Sequence, residues 1–332
     1  MNVANALSHL ARKRVLITGG LGFIGSNLAR RLVAADAEVT LVDSLIPEYG
    51  GNQFNLAGFQ DRVRVNISDV RDDHSMRFLV QGQDYLFNLA GQTSHLDSMQ
   101  DPYTDLEINC RAQLSILETC RKYNPRIQIV FASTRQLYGK PDYLPVDEKH
   151  LLRPVDVNGI NKMAGEWYHI LYNNVYGLRA CALRLTNTYG PRMRIKDARQ
   201  TFLGIWIRRL LEGSPFEVWE GSQKRDFTYV DDAVDALVLA VVSDAANGRI
   251  FNLGGEPVVS LTELATQLIA TNGGGTFESR SFPPERKRID IGDYYADYRH
   301  IQDVLGWQPQ VPLAEGLART LVYYRENLKH YL

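Results

Sequence analysis

Three evenly spaced glycines are the first residues with chemical promise. Gly19, Gly22 and Gly25 lie in T-G-G-L-G-F-I-G, residues 18–25, after the apolar run KRVLIT (13–18) and before helical spacing through Ile24, Leu28 and Leu32. Glycine lets a backbone turn tightly and approach a pyrophosphate, and the helix start that follows offers N–H donors and the positive end of a dipole. The next apolar run, EVTLVD (38–43), ends on Asp43. A carboxylate there accepts hydrogen bonds from both hydroxyls of an adenosine ribose and repels a 2′-phosphate, so the pattern points to NAD rather than NADP. Asp69 and Val70, after a third run, flank the expected adenine position. Arg30 and Arg31 fall on the helix and read as solvent-facing.

Hydroxyls, an amide and cations follow. FASTRQLYG (131–139) brings Ser133 and Thr134 to the end of another apolar run, facing the same crevice. NGINK (158–162) opens a helix after Pro154, and Asn158 and Lys162, four apart, share one helix face. RLTNTYGPR (184–192) and QKRDFTYVDD (223–232) carry Asn187 and Arg225. A guanidinium binds two phosphate oxygens at once; the competing use of Arg225 is an ion pair with Asp226 or Asp231.

The elements that must position these residues alternate. Strand-like runs at 13–18, 38–43, 62–66, 84–89, 127–132 and 179–185 are separated by helical stretches that include 23–35, 104–123 and 158–176. This predicts an α/β chain with a Rossmann-type doubly wound parallel sheet, mainly over residues 1–185. Prolines and glycine clusters after about residue 190 break the rest into shorter pieces, with helices near 200–212, 231–243, 260–271 and 312–328. Residues 186–332 read as a smaller C-terminal α/β lobe that binds substrate over the strand ends and exchanges a strand or helix with the first. Ligands of such folds sit at the carboxyl ends of the strands.

Composition narrows the class. The 332 residues carry 37 Lys+Arg against 38 Asp+Glu, and 45% are hydrophobic. This excludes a disordered chain and argues against a general electrostatic grip on nucleic acid or an anionic membrane. Cys110, Cys120 and Cys181 form no C-x-x-C motif and read as reduced thiols. The seven histidines show no metal spacing, and no metal is expected. No apolar run reaches the roughly 20 residues that span a bilayer, and the N-terminus lacks a signal-peptide core; a cytoplasmic protein is expected.

In order along the chain stand T-G-G-x-G-F-I-G, Asp43, N-L-A-G-Q (88–92), Asn109, S-T-x-x-x-Y-G, the helix with Lys162, R-x-x-N-x-Y-G-P and R-D-F-x-Y-V-D-D. From Lys13 to about Tyr324 the chain resembles the extended short-chain dehydrogenase/reductases of the NAD-dependent nucleotide-sugar epimerase/dehydratase family. The resemblance implies that Gly19, Gly22, Phe23, Ile24 and Gly25 hold the NAD pyrophosphate, Asp43 its adenosine ribose, and Lys162 the nicotinamide ribose. Leu89, Ala90, Gln92 and Ser133 line the cofactor cleft. Thr134 bonds the sugar hydroxyl at the reacting carbon, Asn187 and Arg225 the nucleotide diphosphate, and His95 and Arg135 face the sugar nucleotide. It also implies a homodimer through helices 104–123 and 158–176, whose apolar surplus includes Leu106, Ile108, Leu114, Leu117, Trp167, Ile170 and Leu171.

One position departs from the family. Its general base is a tyrosine four residues before the lysine; here Asn158 stands there, and an amide does not titrate near neutrality. Three readings stay open: a base drawn from Asp97, His95, Asp156 or Tyr138; a water or the substrate itself, positioned by Thr134 and Lys162; or a module that binds NAD and a sugar nucleotide without the redox step. Arg135 and Gln136 occupy positions where the family's 4,6-dehydratases carry acids, and its uronate decarboxylases usually keep a glutamate in this segment. The expected activity is epimerisation of a nucleoside-diphosphate sugar by transient oxidation, ahead of dehydration or decarboxylation.

Overall fold

The computed structural model describes residues 1–332, except for the side chains of residues 285 and 286. Seven strands form one parallel sheet: β1 (Arg14–Thr18), β2 (Glu38–Asp43), β3 (Val63–Ile67), β4 (Tyr85–Asn88), β5 (Gln128–Thr134), β6 (Ala180–Leu185) and β7 (Ile250–Asn252). Their spatial order is β7-β6-β5-β4-β1-β2-β3. The order reverses between β1 and β4, which opens a crevice at the carboxyl ends of those two strands. This is the doubly wound α/β architecture expected from the alternating runs.

Both faces of the sheet are covered except at the edge strand β3, which is exposed from Arg64 to Ile67; that cover explains why inner strands such as β1 and β5 read as continuous apolar runs. Val15 and Ile17 of β1 point into a core shared with helix α1 (Phe23–Ala34). Leu16, between them, points into a second core with α2 (Ala112–Tyr123) and α3 (Val157–Tyr176). Helix α4 (Val230–Val242) joins the first core and is buried over most of its surface. Arg31 is not free in solvent as read: it donates to Asp235 at 2.9 Å and ties α1 to α4, while Arg30 is exposed.

The single helix read over 104–123 is three pieces: Pro102–Leu106, a π turn at Glu107–Arg111, and α2. The wider turn frees the carbonyl of Ile108, which accepts the side-chain amide of Gln113 at 2.9 Å. Such bulges often mark functional sites, and this one packs against α3 below the crevice.

After β6 the chain forms three small strand pairs, Asn187–Tyr189 with Phe227–Tyr229, Lys224–Arg225 with Val259–Ser260, and Phe216–Trp219 with Phe277–Arg280. It returns α4 and β7 to the first sheet. Among the described residues no helix is long and apolar enough to cross a membrane, and no cluster of side chains could hold a metal ion. All three cysteines are free thiols.

Candidate active site

The loop between β1 and α1 closes on itself. Gly19 has φ +68°, where a side chain is strained, and a Cβ at Gly25 would lie 2.2 Å from the Gly19 carbonyl oxygen. The start of α1 therefore stands bare over the sheet's switch point. Gly19, Gly22, Phe23, Ile24 and Gly25 line a narrow cavity of about 130 Å³ together with Asp43, Asp69, Val70, Leu89 and Ala90. The Asp43 carboxylate accepts the backbone N–H of Leu21 at 3.0 Å and of Leu45 at 2.9 Å. Burial raises its pKa, and those two donors pull it back. Each oxygen keeps lone-pair capacity for a hydroxyl. Asp69 is bound bidentately by Arg71, at 3.0 and 2.6 Å, so only part of its acceptor capacity faces the cavity. The bare glycine cradle and the acceptor beyond it fit a dinucleotide.

A second cavity, about 1130 Å³, adjoins the first; Phe23, Ile24, Leu89 and Ala132 line both. Gln92, His95, Ser133, Thr134, Arg135, Asn158, Lys162, Asn187 and Arg225 all line it. Their neighbours separate the groups that face the cavity from those committed to its wall. Ser133 donates its hydroxyl to Glu166 at 2.6 Å, and Glu166 is paired with Arg184 at 2.5 Å, both nearly without exposure. Its hydroxyl is thus used inside the wall. Thr134 ends β5, where its Oγ1 accepts Gln136 N–H at 3.2 Å. Lys162 donates to the Ala132 carbonyl at 3.0 Å. Burial pushes its pKa down to about 8, against the opposing pull of Asp105.

Asn158 is held from three sides. Its Nδ2 lies 2.8 Å from Gln92 O, 3.2 Å from Gln92 Oε1 and 2.9 Å from Asp105 Oδ2. Asp105 is fully buried and also accepts Asn109 at 3.0 Å and Asn161 at 2.8 Å. Three amides thus enclose one carboxylate beneath the cavity, and Asn158 reaches the cavity as part of that wall. Sequence reading missed Asp105 and Asn161. The available signal was only helical spacing, 105/109 and 158/161, within stretches that carry other polar residues as well.

The base candidates separate cleanly. Tyr138 lies in the interior, away from both cavities: its OH donates to Asn252 at 2.7 Å and accepts Arg184, and burial raises its pKa. Asp97 lines the large cavity but pairs with Arg199 at 2.9 Å. Asp156 is buried as the N-cap of α3, accepting Gly159 N–H at 2.7 Å and Gln136 Nε2 at 2.8 Å. Burial acts to raise its pKa, but His95 and those hydrogen bonds outweigh it and the net shift is downward. His95 is half-exposed on the cavity wall, and its Nδ1 lies 3.0 Å from Asp156 Oδ2.

Two buried arginines also line the large cavity. Arg135 donates to Asn187 Oδ1 at 3.0 Å, and its buried Nη1 has no partner among the described residues. Arg225 bonds the carbonyls of Lys224 and Gly292 and lies 3.5 Å from Asp290. Its ion-pair partner is therefore neither Asp226 nor Asp231; Asp226 instead accepts Thr186 and the N–H of Ala296. Burial and the nearby Arg135 charge lower Arg225 to about 10. Two buried guanidiniums in one wall suit a phosphate-bearing ligand.

Residues 15–254 match the profile of the NAD dependent epimerase/dehydratase family. The chain is 32% identical over 315 residues to a putative UDP-glucose 4-epimerase of Methanocaldococcus jannaschii, covering 94% of this chain and 99% of that protein. It is 31% identical over 334 residues to UDP-glucuronic acid decarboxylase 1 of Xenopus tropicalis, covering 98% and 75%. A solved UDP-glucose 4-epimerase of Thermus thermophilus, in complex with NAD, superimposes with a TM-score of 0.83 at 30% identity, covering 94% of this chain and 99% of that one.

Proposed function

The chain belongs to the NAD dependent epimerase/dehydratase family, and on that premise we propose that it epimerises a nucleoside-diphosphate sugar through transient oxidation of a ring hydroxyl. The carrying observation is the shared wall between the glycine cradle and the large cavity: Ala132 lines both, its carbonyl accepts Lys162, and Thr134 lies two residues further along β5. NAD supplies reversible hydride exchange when bound. In this reading Gly19, Gly22, Phe23, Ile24 and Gly25 hold its pyrophosphate, and Asp43 its adenosine ribose. Asp69 and Val70 flank the adenine, Leu89, Ala90, Gln92 and Ser133 complete the cleft, and Lys162 holds the second ribose. Thr134 orients the reacting hydroxyl, and Asn187, Arg135 and Arg225 hold the diphosphate end.

Two features favour epimerisation over the relatives' other reactions. Loss of water from the sugar needs an acid and a base at adjacent carbons. Arg135 stays protonated, and Gln136, whose amide is bonded to Asp156, does not titrate. Decarboxylation is disfavoured by the same lack of a carboxyl group in this segment. Residues 1–185 mainly form the cofactor-binding unit and 186–332 the substrate lobe, with α4 and β7 exchanged back to the first sheet. The outward apolar face of Tyr103, Leu106, Trp167 and Leu171, all exposed, is assigned to a second copy of the chain in a cytoplasmic homodimer. Ile108, Leu117 and Ile170 are buried within the chain and take no part in that face.

The test is incubation of NAD-loaded protein with a panel of UDP-, dTDP-, GDP- and CDP-sugars, with chromatography of the products. A new sugar nucleotide of unchanged mass supports the proposal. Loss of water or carbon dioxide assigns one of the other family reactions. Tight binding with no product supports the binding-module reading, which the engagement of Asn158 by Gln92 and Asp105 favours.

A further inference from the structure

Oxidation of a hydroxyl needs somewhere to put its proton, and position 158 does not offer it. The Asn158 amide is taken up by Gln92 and Asp105. Tyr138 is buried on Arg184 and Asn252, and Asp97 is paired with Arg199. Lys162 is anchored to the Ala132 carbonyl.

His95 differs from all of these. It lies on the wall of the large cavity, half-exposed, with Nδ1 buried against the Asp156 carboxylate at 3.0 Å. Asp156 is fixed in turn by Gly159 N–H and Gln136 Nε2. Gln136 also gives its own N–H to Thr134 Oγ1. Gln136, held to Asp156 by its side chain and to Thr134 by its backbone N–H, therefore ties the carboxylate beside the imidazole to the threonine that orients the reacting hydroxyl. The short helix that begins at His95 is docked onto the first turn of α3 as well. Ser98 Oγ donates to His95 O at 2.7 Å and accepts Asn158 N–H at 3.3 Å. A carboxylate on Nδ1 holds the proton on that nitrogen and leaves Nε2 as the acceptor. Asp97, two residues further on, is itself paired with Arg199.

We propose that His95 is the catalytic proton acceptor and donor of this chain, with Asp156 as its positioning residue, in place of the missing phenol. The inference rests on the epimerase reading above. In the oxidation the hydroxyl proton passes to His95 Nε2 while the C–H bond at the same carbon breaks. That bond's electron pair leaves with the hydrogen as hydride to NAD, and the C–O bond becomes a carbonyl. In the return step hydride adds to the ketone's other face and His95 gives the proton back.

Two measurements test this. Nitrogen-15 NMR of the histidine rings in the cofactor-free protein reads the tautomer: His95 is expected with its proton on Nδ1, moving to Nε2 in Asp156→Asn. That variant keeps an oxygen to cap α3 but presents an amide to the imidazole. A wild-type ring protonated on Nε2 overturns the proposal. Steady-state kinetics on the sugar nucleotide identified by the panel reads the role. His95→Ala is expected to lose about 10²–10⁴-fold in kcat with KM and NAD affinity held, and added imidazole to restore part of the rate. If the wild type turns over and His95→Ala keeps its kcat, or imidazole restores nothing, the dyad proposal falls and the epimerase reading stands. If the wild type converts no sugar nucleotide, both fall.

Discussion

Replacing Lys162 by methionine measures what it costs to bury an ammonium in the cavity wall. Burial lowers this lysine from its usual 10.5 to about 8. Each pH unit of that depression corresponds to about 1.36 kcal/mol, so the charged side chain costs the fold about 3 kcal/mol at neutral pH. The sign follows from proton counting. Below about pH 8 both folded and unfolded chains hold the proton and the cost is complete. Between about 8 and 10.5 the unfolded chain holds more protons, so wild-type stability rises with pH. Above 10.5 neither holds it and the cost is gone. Methionine removes this dependence and also removes the bond to Ala132 O, a loss of about 1 kcal/mol that does not vary with pH. Lys162→Met is therefore expected to be more stable than wild type by about 2 kcal/mol at pH 7, and to lose about 3 kcal/mol of that difference by pH 10.5. With an unfolding entropy of about 2.1 cal/mol/K per residue over 332 residues, that swing is about 4 °C in Tm. Scanning calorimetry of both cofactor-free proteins between pH 7 and 10.5 reads it, because the other titrating groups are common to the two. A Tm difference that stays flat across this range refutes the buried-ammonium reasoning. In the same variant NAD binding weakens by one charge-assisted hydrogen bond, about 1.5–3 kcal/mol, in a calorimetric titration.

Asn158→Ala takes one donor from a fully buried carboxylate and is expected to cost about 1.5–3 kcal/mol, a drop of about 2–4 °C in Tm; Asn158→Tyr is not expected to raise turnover, because the wall is filled and the proton acceptor lies elsewhere. Asp43 predicts much tighter binding of NAD than of NADP, and equal affinities by calorimetry would contradict it. Light scattering at micromolar concentration is expected to give the mass of a dimer, and Trp167→Glu with Leu171→Glu that of a monomer; a monomeric wild type refutes the assigned face.

The sheet was legible wherever burial on both faces produced an unbroken apolar run, as in β1, β2 and β5. Strand β7 escaped notice because Ile250–Asn252 is too short to show a pattern, and only its pairing with β6 makes it a strand. The π turn at Glu107–Arg111 escaped because apolar spacing hardly registers one widened turn. The glycine cradle and Asp43 were readable because a local stretch of chain builds them. The role of Asn158 was not: its partner Asp105 is 53 residues away, and nothing in either segment names the other. Arg225 shows the same limit, since local sequence suggested Asp226 or Asp231 and the fold supplied Asp290.

Four side chains that share one buried charge cannot drift independently. Asp105 depends on Asn109, Asn158 and Asn161 for its hydrogen bonds, so losing any one of these amides deepens the penalty for losing the next, and neutralising Asp105 first changes the effect of every later substitution. The effects are therefore non-additive, and the order of changes matters. The knot under the cavity thus acts as one unit: what a side chain at 158 can do there depends on what stands at 105, 109 and 161, and a change at any of the four resets the other three.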